Sequence, residues 1–155
     1  MKTKFMRAAI RLSLKKMRRG QGGPFGAVVV WRGKIVGRGW NRVTSTNDPT
    51  AHAEVTAIRD ACRRLKTFRL EDCEIYTSCE PCPMCLAAIY WARIGRIFYA
   101  SARRDAAAIG FDDDLIGREI ARPVSRRKIP MRQLLRGKAL KVFQEWRDKP
   151  DKVPY

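Results

Sequence analysis

One imidazole limits what this chain can build. His52 is the only histidine in 155 residues. It lies in D-P-T-A-H-A-E-V-T, Asp48 to Thr56, two residues before Glu54. Further on, S-C-E-P-C-P-M-C-L from Ser78 to Leu86 sets Cys79, Cys82 and Cys85 at three-residue intervals. Between the two segments the chain reads helix, then strand, then helix. Any Ser-His-Asp or Cys-His mechanism would need His52 for itself, with no second histidine to spare. The sequence also lacks a P-loop and a glycine-rich dinucleotide fingerprint.

Imidazole nitrogen and thiolate sulfur are the usual ligands of zinc, and a catalytic zinc keeps three protein ligands with the fourth place for water. His52, Cys82 and Cys85 would supply the three. Cys82 and Cys85 share one face at a helix start, whose positive end favours thiolates. Glu54 is the candidate general base. Residues two apart on a regular helix point to nearly opposite sides, so His52 and Glu54 converge only at a frayed first turn, or if Glu54 reaches the water rather than the ion. Other uses of the cysteines are weaker. A redox C-x-x-C lacks its strand-then-helix context. An iron–sulfur C-x-x-C-x-x-C wants a cysteine where Ile89 stands. With Cys79 as a fourth ligand the centre would be closed and inert.

Strands alternate with helices over most of the length, which is the pattern of a layered α/β domain. The basic N-terminus, free of acids, has the composition of a transit peptide. However, charges interrupt every apolar stretch, and Phe5, Ala8, Ala9, Leu12 and Leu14 fall near helical spacing. It therefore reads as an amphipathic helix that packs on the domain and ends at Gly20. A-V-V-V-W and I-V-G-R-G-W-N form a hairpin across R-G-K, and the Gly37 and Gly39 pair marks a bulge or a close backbone approach. Asp48-Pro49 predicts a helix start. Glu74–Thr77 and Arg96–Ala100 read as strands, and Pro83–Arg93, Ala102–Ile109 and Asp114–Ala121 as helices. Arg127–Pro130 reads as a last short strand and Lys138–Arg147 as a closing helix. The hairpin makes the sheet mixed.

The net charge is +18, and twelve Lys or Arg precede the first acid, Asp48. Such a surface attracts polyanions, or simply keeps a soluble protein self-repelling. Nucleic acid is thus a possible partner but not a required one, and the charge carries no RNA-binding signature of interleaved aromatics. Nothing approaches the roughly 18 apolar residues of a membrane span. Five cysteines without an export signal point to a reducing compartment, with the cytoplasm as the default.

H-A-E followed by P-C-x-x-C is the signature of zinc-dependent base deaminases. The chain resembles the cytidine deaminase-like superfamily, and within it the bacterial guanine deaminases. The carrying segments are G-G-P-F-G-A-V (Gly22–Val28), N-D-P-T-A-H-A-E-V-T-A-I-R (Asn47–Arg59), Y-T-S-C-E-P-C-P-M-C-L (Tyr76–Leu86), A-I-Y-W-A-R (Ala88–Arg93) and G-F-D-D (Gly110–Asp113). The resemblance implies a three-layer α/β/α sandwich with a five-stranded mixed sheet in a single domain over residues 1–155. It implies a homodimer in which a segment from about Lys138 to Tyr155 is exchanged, so that Tyr155 meets the partner's base. It implies zinc-dependent conversion of guanine to xanthine and ammonia, with Glu54 carrying protons and Asp113 as a second shuttle. Asn41, Phe25, Trp91 and the Ala53 amide are the implied base contacts. Each also has a plainer use: Asp113 as a helix cap, Asn41 as a turn residue, Phe25 and Trp91 as core aromatics. Cys79 is expected to shape its loop, because a fourth thiolate would take the place of water. Guanosine deaminases and tRNA adenosine deaminases are the nearest rivals. A non-enzymatic nucleic-acid-binding zinc domain is the rival from another class.

Overall fold

The run Ala27-Val28-Val29-Val30 has no polar side, and the fold covers both of its faces. In the computed structural model, which describes residues 2–155, this run is strand β1, Gly26–Trp31. The chain divides into two units, one ending at Asp114 and one spanning Leu115–Tyr155. In the first, α1 (Thr3–Arg18) precedes β1, followed by β2 (Lys34–Trp40), α2 (Val43–Thr46), α3 (Ala53–Leu65), β3 (Cys73–Cys79), α4 (Pro83–Trp91), β4 (Arg96–Ser101) and α5 (Arg103–Ala107). The sheet order is β2-β1-β3-β4. β1 runs antiparallel to both neighbours, and β3 and β4 are parallel, as the α4 crossover between them requires.

Alternation of side chains across the pleat builds three layers. Val28, Val30 and Tyr76 point to one face, where Phe5 and Ala9 of α1 cover them. Tyr76 stacks on Phe98 with centroids 4.7 Å apart. Ala27, Val29 and Ile75 point to the other face, beneath Ala53, Ala57 and Ala61 of α3 and Ile89 of α4. Each fully buried large side chain contributes about 1.5–3 kcal/mol.

Alanines on α3 and glycines on β2 bring helix and strand unusually close. A Cβ at Gly39 would lie 2.1 Å from the Ala53 carbonyl oxygen and 2.3 Å from the Ala57 nitrogen; one at Gly37 would lie 2.4 Å from the Ala57 oxygen. The sequence suggested a bulge or a close approach, and both occur, since the β1–β2 register also shifts between Val29 and Val30. Gly39→Ala must therefore displace the backbone of α3. The expected cost is about 3 kcal/mol, at the upper end for overpacking, and the measurement is chemical denaturation followed by circular dichroism.

Two expectations need correction. The sheet has four strands among the described residues, not five. Arg127–Pro130 forms no strand: the Arg127 guanidinium donates to the Ile120 and Arg122 carbonyls, the Lys128 amide donates to the Glu119 carboxylate, and Pro130 has no N–H for a ladder. This second unit instead holds most of α6 (Asp114–Ala121), a 3-10 turn at Val124–Arg126, and α7 (Arg136–Asp148). The other correction concerns Asp48-Pro49, which does not open α3. The Asp48 carboxylate accepts from the Thr50 amide and hydroxyl at 2.8 and 2.6 Å, capping a turn, and the helix begins at Ala53.

Candidate active site

That later start places His52 and Glu54 side by side. His52 is the cap of α3, with extended backbone at φ −68°, ψ 160°, and Glu54 is the second residue inside the helix. The periodicity that would set them on opposite sides does not yet apply at the cap. Cys82 has the same position on α4, at φ −66°, ψ 167°, with Pro83 next. The Cys85 amide donates to the Cys82 sulfur at 3.5 Å, so a thiolate occupies the place of the usual capping oxygen. β3 leads into the Cys82 cap, and its Thr77 hydroxyl reaches Glu54 at the start of α3.

His52 Nδ1 lies 3.5 Å from the sulfur of Cys82 and 3.5 Å from that of Cys85. Tetrahedral zinc, with bonds of about 2.05 Å to nitrogen and 2.3 Å to sulfur, puts those atoms about 3.6 Å apart. The separations are those of a ligand set, and this is the one such group among the described residues. The protonation pattern points the same way. The Cys85 thiol donating to it holds Cys82 down at about 4, with His52 adding to the effect. The same contact, then burial, pushes Cys85 up. The bond to Cys82 raises His52. A dication bound there would let both sulfurs be charged. The residues fit zinc.

Cys79 stands apart. Its thiol donates to the Ala102 carbonyl at 3.7 Å, and burial raises it to about 11. It closes a loop, as expected, and leaves the donor set at three.

Glu54 is 6% exposed. Its Oε1 accepts from Thr77 Oγ1 at 3.1 Å and its Oε2 from Cys85 Sγ at 3.4 Å. Burial raises its carboxyl above the usual range. A buried carboxyl with no cationic side chain on it, beside a metal ligand set, is suited to carry a proton.

The other residues expected at the base are held by contacts of their own. Asn41 is buried, and its Oδ1 accepts from the Gly23 and Val43 amides at 3.3 Å each, which leaves its amide hydrogens to donate elsewhere. Gly22 permits this packing: at φ +141° it lies so close that a Cβ would clash with the Asn41 carbonyl. Phe25 meets Phe111 edge-to-face at 4.9 Å, and Phe111 also abuts Gly23. Asp113 is close enough for its charge to raise His52. Its Oδ1 accepts from Arg103 Nε at 2.8 Å and Nη2 at 2.7 Å, which leaves Oδ2 outside that fork. The Arg103 amide in turn donates to Glu80. The Ala53 N–H is one of the first-turn donors a helix leaves over.

Trp91 is placed differently. It ends α4, about 13 Å along the axis from Cys82, and is largely exposed, so within one chain it is no wall of this group. Tyr155 belongs to the second unit. Sequence reasoning missed Thr77, Arg103 and Phe111. A buried threonine inside an apolar strand was a visible signal. The Arg103 pairing spans ten residues with no periodicity to announce it.

Residues 1–101 match the family described as the cytidine and deoxycytidylate deaminase zinc-binding region. Guanine deaminase of Bacillus subtilis is 52% identical over 151 residues, 97% of each chain. A crystal structure of guanine deaminase from that organism superposes with a TM-score of 0.96 at 52% identity, covering 99% of this chain and 98% of that one. The tRNA-specific adenosine deaminase of Aquifex aeolicus is 41% identical over 97 residues, 63% of this chain and 64% of that protein.

Proposed function

The chain belongs to the cytidine and deoxycytidylate deaminase zinc-binding family, and from that premise we infer that it hydrolyses guanine to xanthine and ammonia. The observation that carries this reading is the extent of the likeness. The tRNA deaminase match runs for 97 residues, whereas the guanine deaminase match runs for 151 and takes in the second unit.

His52, Cys82 and Cys85 would hold zinc. When bound there, the ion supplies Lewis-acid activation of water near neutral pH. Glu54 takes a proton from the attacking water and returns it to the ring nitrogen beside C2 of guanine. The bond it accepts from the Thr77 hydroxyl orients the carboxylate while it does so. Asp113 Oδ2 accepts from the exocyclic amine and relays to it the second proton of the added water, so that the C2 carbonyl forms as the C–N bond breaks and ammonia leaves. Asn41 donates to a purine acceptor, and the Ala53 amide does the same from the helix start. Phe25 and Phe111 form an apolar edge that excludes bulk water from the base.

The protein acts as a homodimer that exchanges the segment from about Lys138 to Tyr155. Tyr155 then serves the site of the neighbouring copy. What supports this is the apolar surface of the second unit: Leu134, Leu135, Val142 and Phe143 are all more than half exposed, and soluble monomers rarely leave such side chains uncovered together. No helix among the described residues is long and apolar enough to cross a membrane.

The test is ammonia release by zinc-loaded protein offered guanine, guanosine, adenine or an adenosine-containing tRNA anticodon stem-loop. Guanine is the expected substrate; turnover only on RNA would overturn the assignment. A second expectation concerns Arg103, which holds one oxygen of Asp113. Arg103→Gln should lower kcat about 10-fold with zinc content unchanged. Combined with Asp113→Asn it should cost no more than Asp113→Asn alone, since residues acting as one unit are not additive. Additive losses would show that the arginine acts elsewhere.

A further inference from the structure

Guanine is neutral, so the reaction gives no reason for a net charge of +18. Part of that charge is arranged rather than scattered. On α1, Lys4, Arg7, Arg11, Lys15 and Arg18 recur every three or four residues, so they form one row, and all five are exposed. The opposite side of the helix is buried against the sheet through Phe5, Ala9 and Ser13. None of the five forms an ion pair with a carboxylate among the described residues. Elsewhere cations are matched: Asp60 pairs with Arg63 and Arg64, Asp113 with Arg103, Glu119 with Arg122. The excess persists at the C-terminal end of the helix, where burial and then the charges of Arg19, Lys15 and Arg42 lower Lys16.

We propose that the outer row of α1 is a docking ridge for the phosphate backbone of a single-stranded nucleic acid. The row is straight and spans about 21 Å at 1.5 Å per residue, with one cation per turn of about 5.4 Å. A flexible single strand can lie along such a line, whereas the strands of a duplex curve away from it. No aromatic side chain stands in the row, so the contact reads charge and not base sequence. An anionic membrane is the less suitable partner. A helix that lies on a bilayer buries its apolar face in lipid, and α1 has already buried that face in its own domain. The apolar side chains α1 leaves partly open, Ile10, Leu14 and Met17, flank the basic row rather than oppose it.

The probe is a fluorescein-labelled oligouridylate of 20 nucleotides, measured by anisotropy between 50 and 300 mM salt against the full-length protein. Five phosphate contacts predict a slope of log K against log salt of about −3.5, from about −0.7 per contact on single strands. The triple variant Arg7→Gln/Arg11→Gln/Lys15→Gln should reduce that slope by about 2 and weaken binding at least 30-fold at 100 mM salt. Its guanine turnover and circular dichroism should match the unaltered protein, which separates this result from a folding defect and from the deaminase assignment. A second triple variant, Lys34→Gln/Arg63→Gln/Arg69→Gln, removes the same charge away from the ridge and should change affinity less than threefold. Equal losses in the two variants, unchanged binding in the ridge variant, or binding to phosphatidylserine vesicles with none to the oligonucleotide would overturn the proposal.

Discussion

Glu54→Gln is expected to keep one zinc per chain and lose about three orders of magnitude in kcat, within the 100- to 10,000-fold range of a general acid–base group. The substitution keeps the shape of the side chain and an oxygen for the Thr77 hydroxyl. Nothing at the metal ligands changes, because Glu54 touches Cys85 without belonging to the His52, Cys82, Cys85 group. What disappears is a proton acceptor that burial has tuned upward. The measurement pairs elemental analysis with ammonia release. Activity within a few-fold of the unaltered enzyme would mean that another group moves the proton, with Asp113 the next candidate.

Cys82→Ala has the other large effect, through a different link. It removes a ligand and the cap of α4 together, since the Cys85 amide donates to the Cys82 sulfur. Losing the cap costs about 1 kcal/mol. Losing the ligand removes the metal, so deamination should fall to the uncatalysed background. Stability reports the same event independently. A ligand that binds only the folded chain stabilises it, by about 2.7 kcal/mol at a hundredfold excess over its dissociation constant. The unaltered protein should therefore melt higher after zinc is added to chelator-treated samples, while Cys82→Ala should not respond. Cys79→Ala should behave like the unaltered protein in zinc content, because its thiol faces the Ala102 carbonyl. If Cys79→Ala loses zinc and Cys82→Ala retains it, the ligands have been assigned wrongly.

The metal group could be read from the sequence because it is built from residue types with few other uses together. One imidazole and a C-x-x-C at a helix start have a narrow range of chemistry. The alternating strand and helix pattern gave the layered fold for a similar reason, since β1 and α3 carry unambiguous apolar patterns. Local punctuation was less reliable. Asp48-Pro49 has the composition of a helix start, yet the Asp48 oxygen binds the amide two residues on and closes a turn instead. That displacement matters, because only a cap at His52 brings the imidazole and Glu54 to the same place. Arg127–Pro130 read as a last short strand, but its donors are taken by carbonyls and a carboxylate nearby. The contacts of Arg103 and Phe111 were not legible, although Phe111 stands in the G-F-D-D segment. Arg103 pairs with Asp113 and Phe111 with Phe25, and the sequence marks such pairs with neither spacing nor composition.

Zinc K-edge X-ray absorption on purified, zinc-loaded protein tests the central claim most directly. The account predicts one ion per chain with two sulfur neighbours at about 2.3 Å and two nitrogen or oxygen neighbours at about 2.0–2.1 Å, one of these being exchangeable solvent. Three or four sulfurs in the first shell, or a chain that purifies and turns over guanine without zinc, would contradict it.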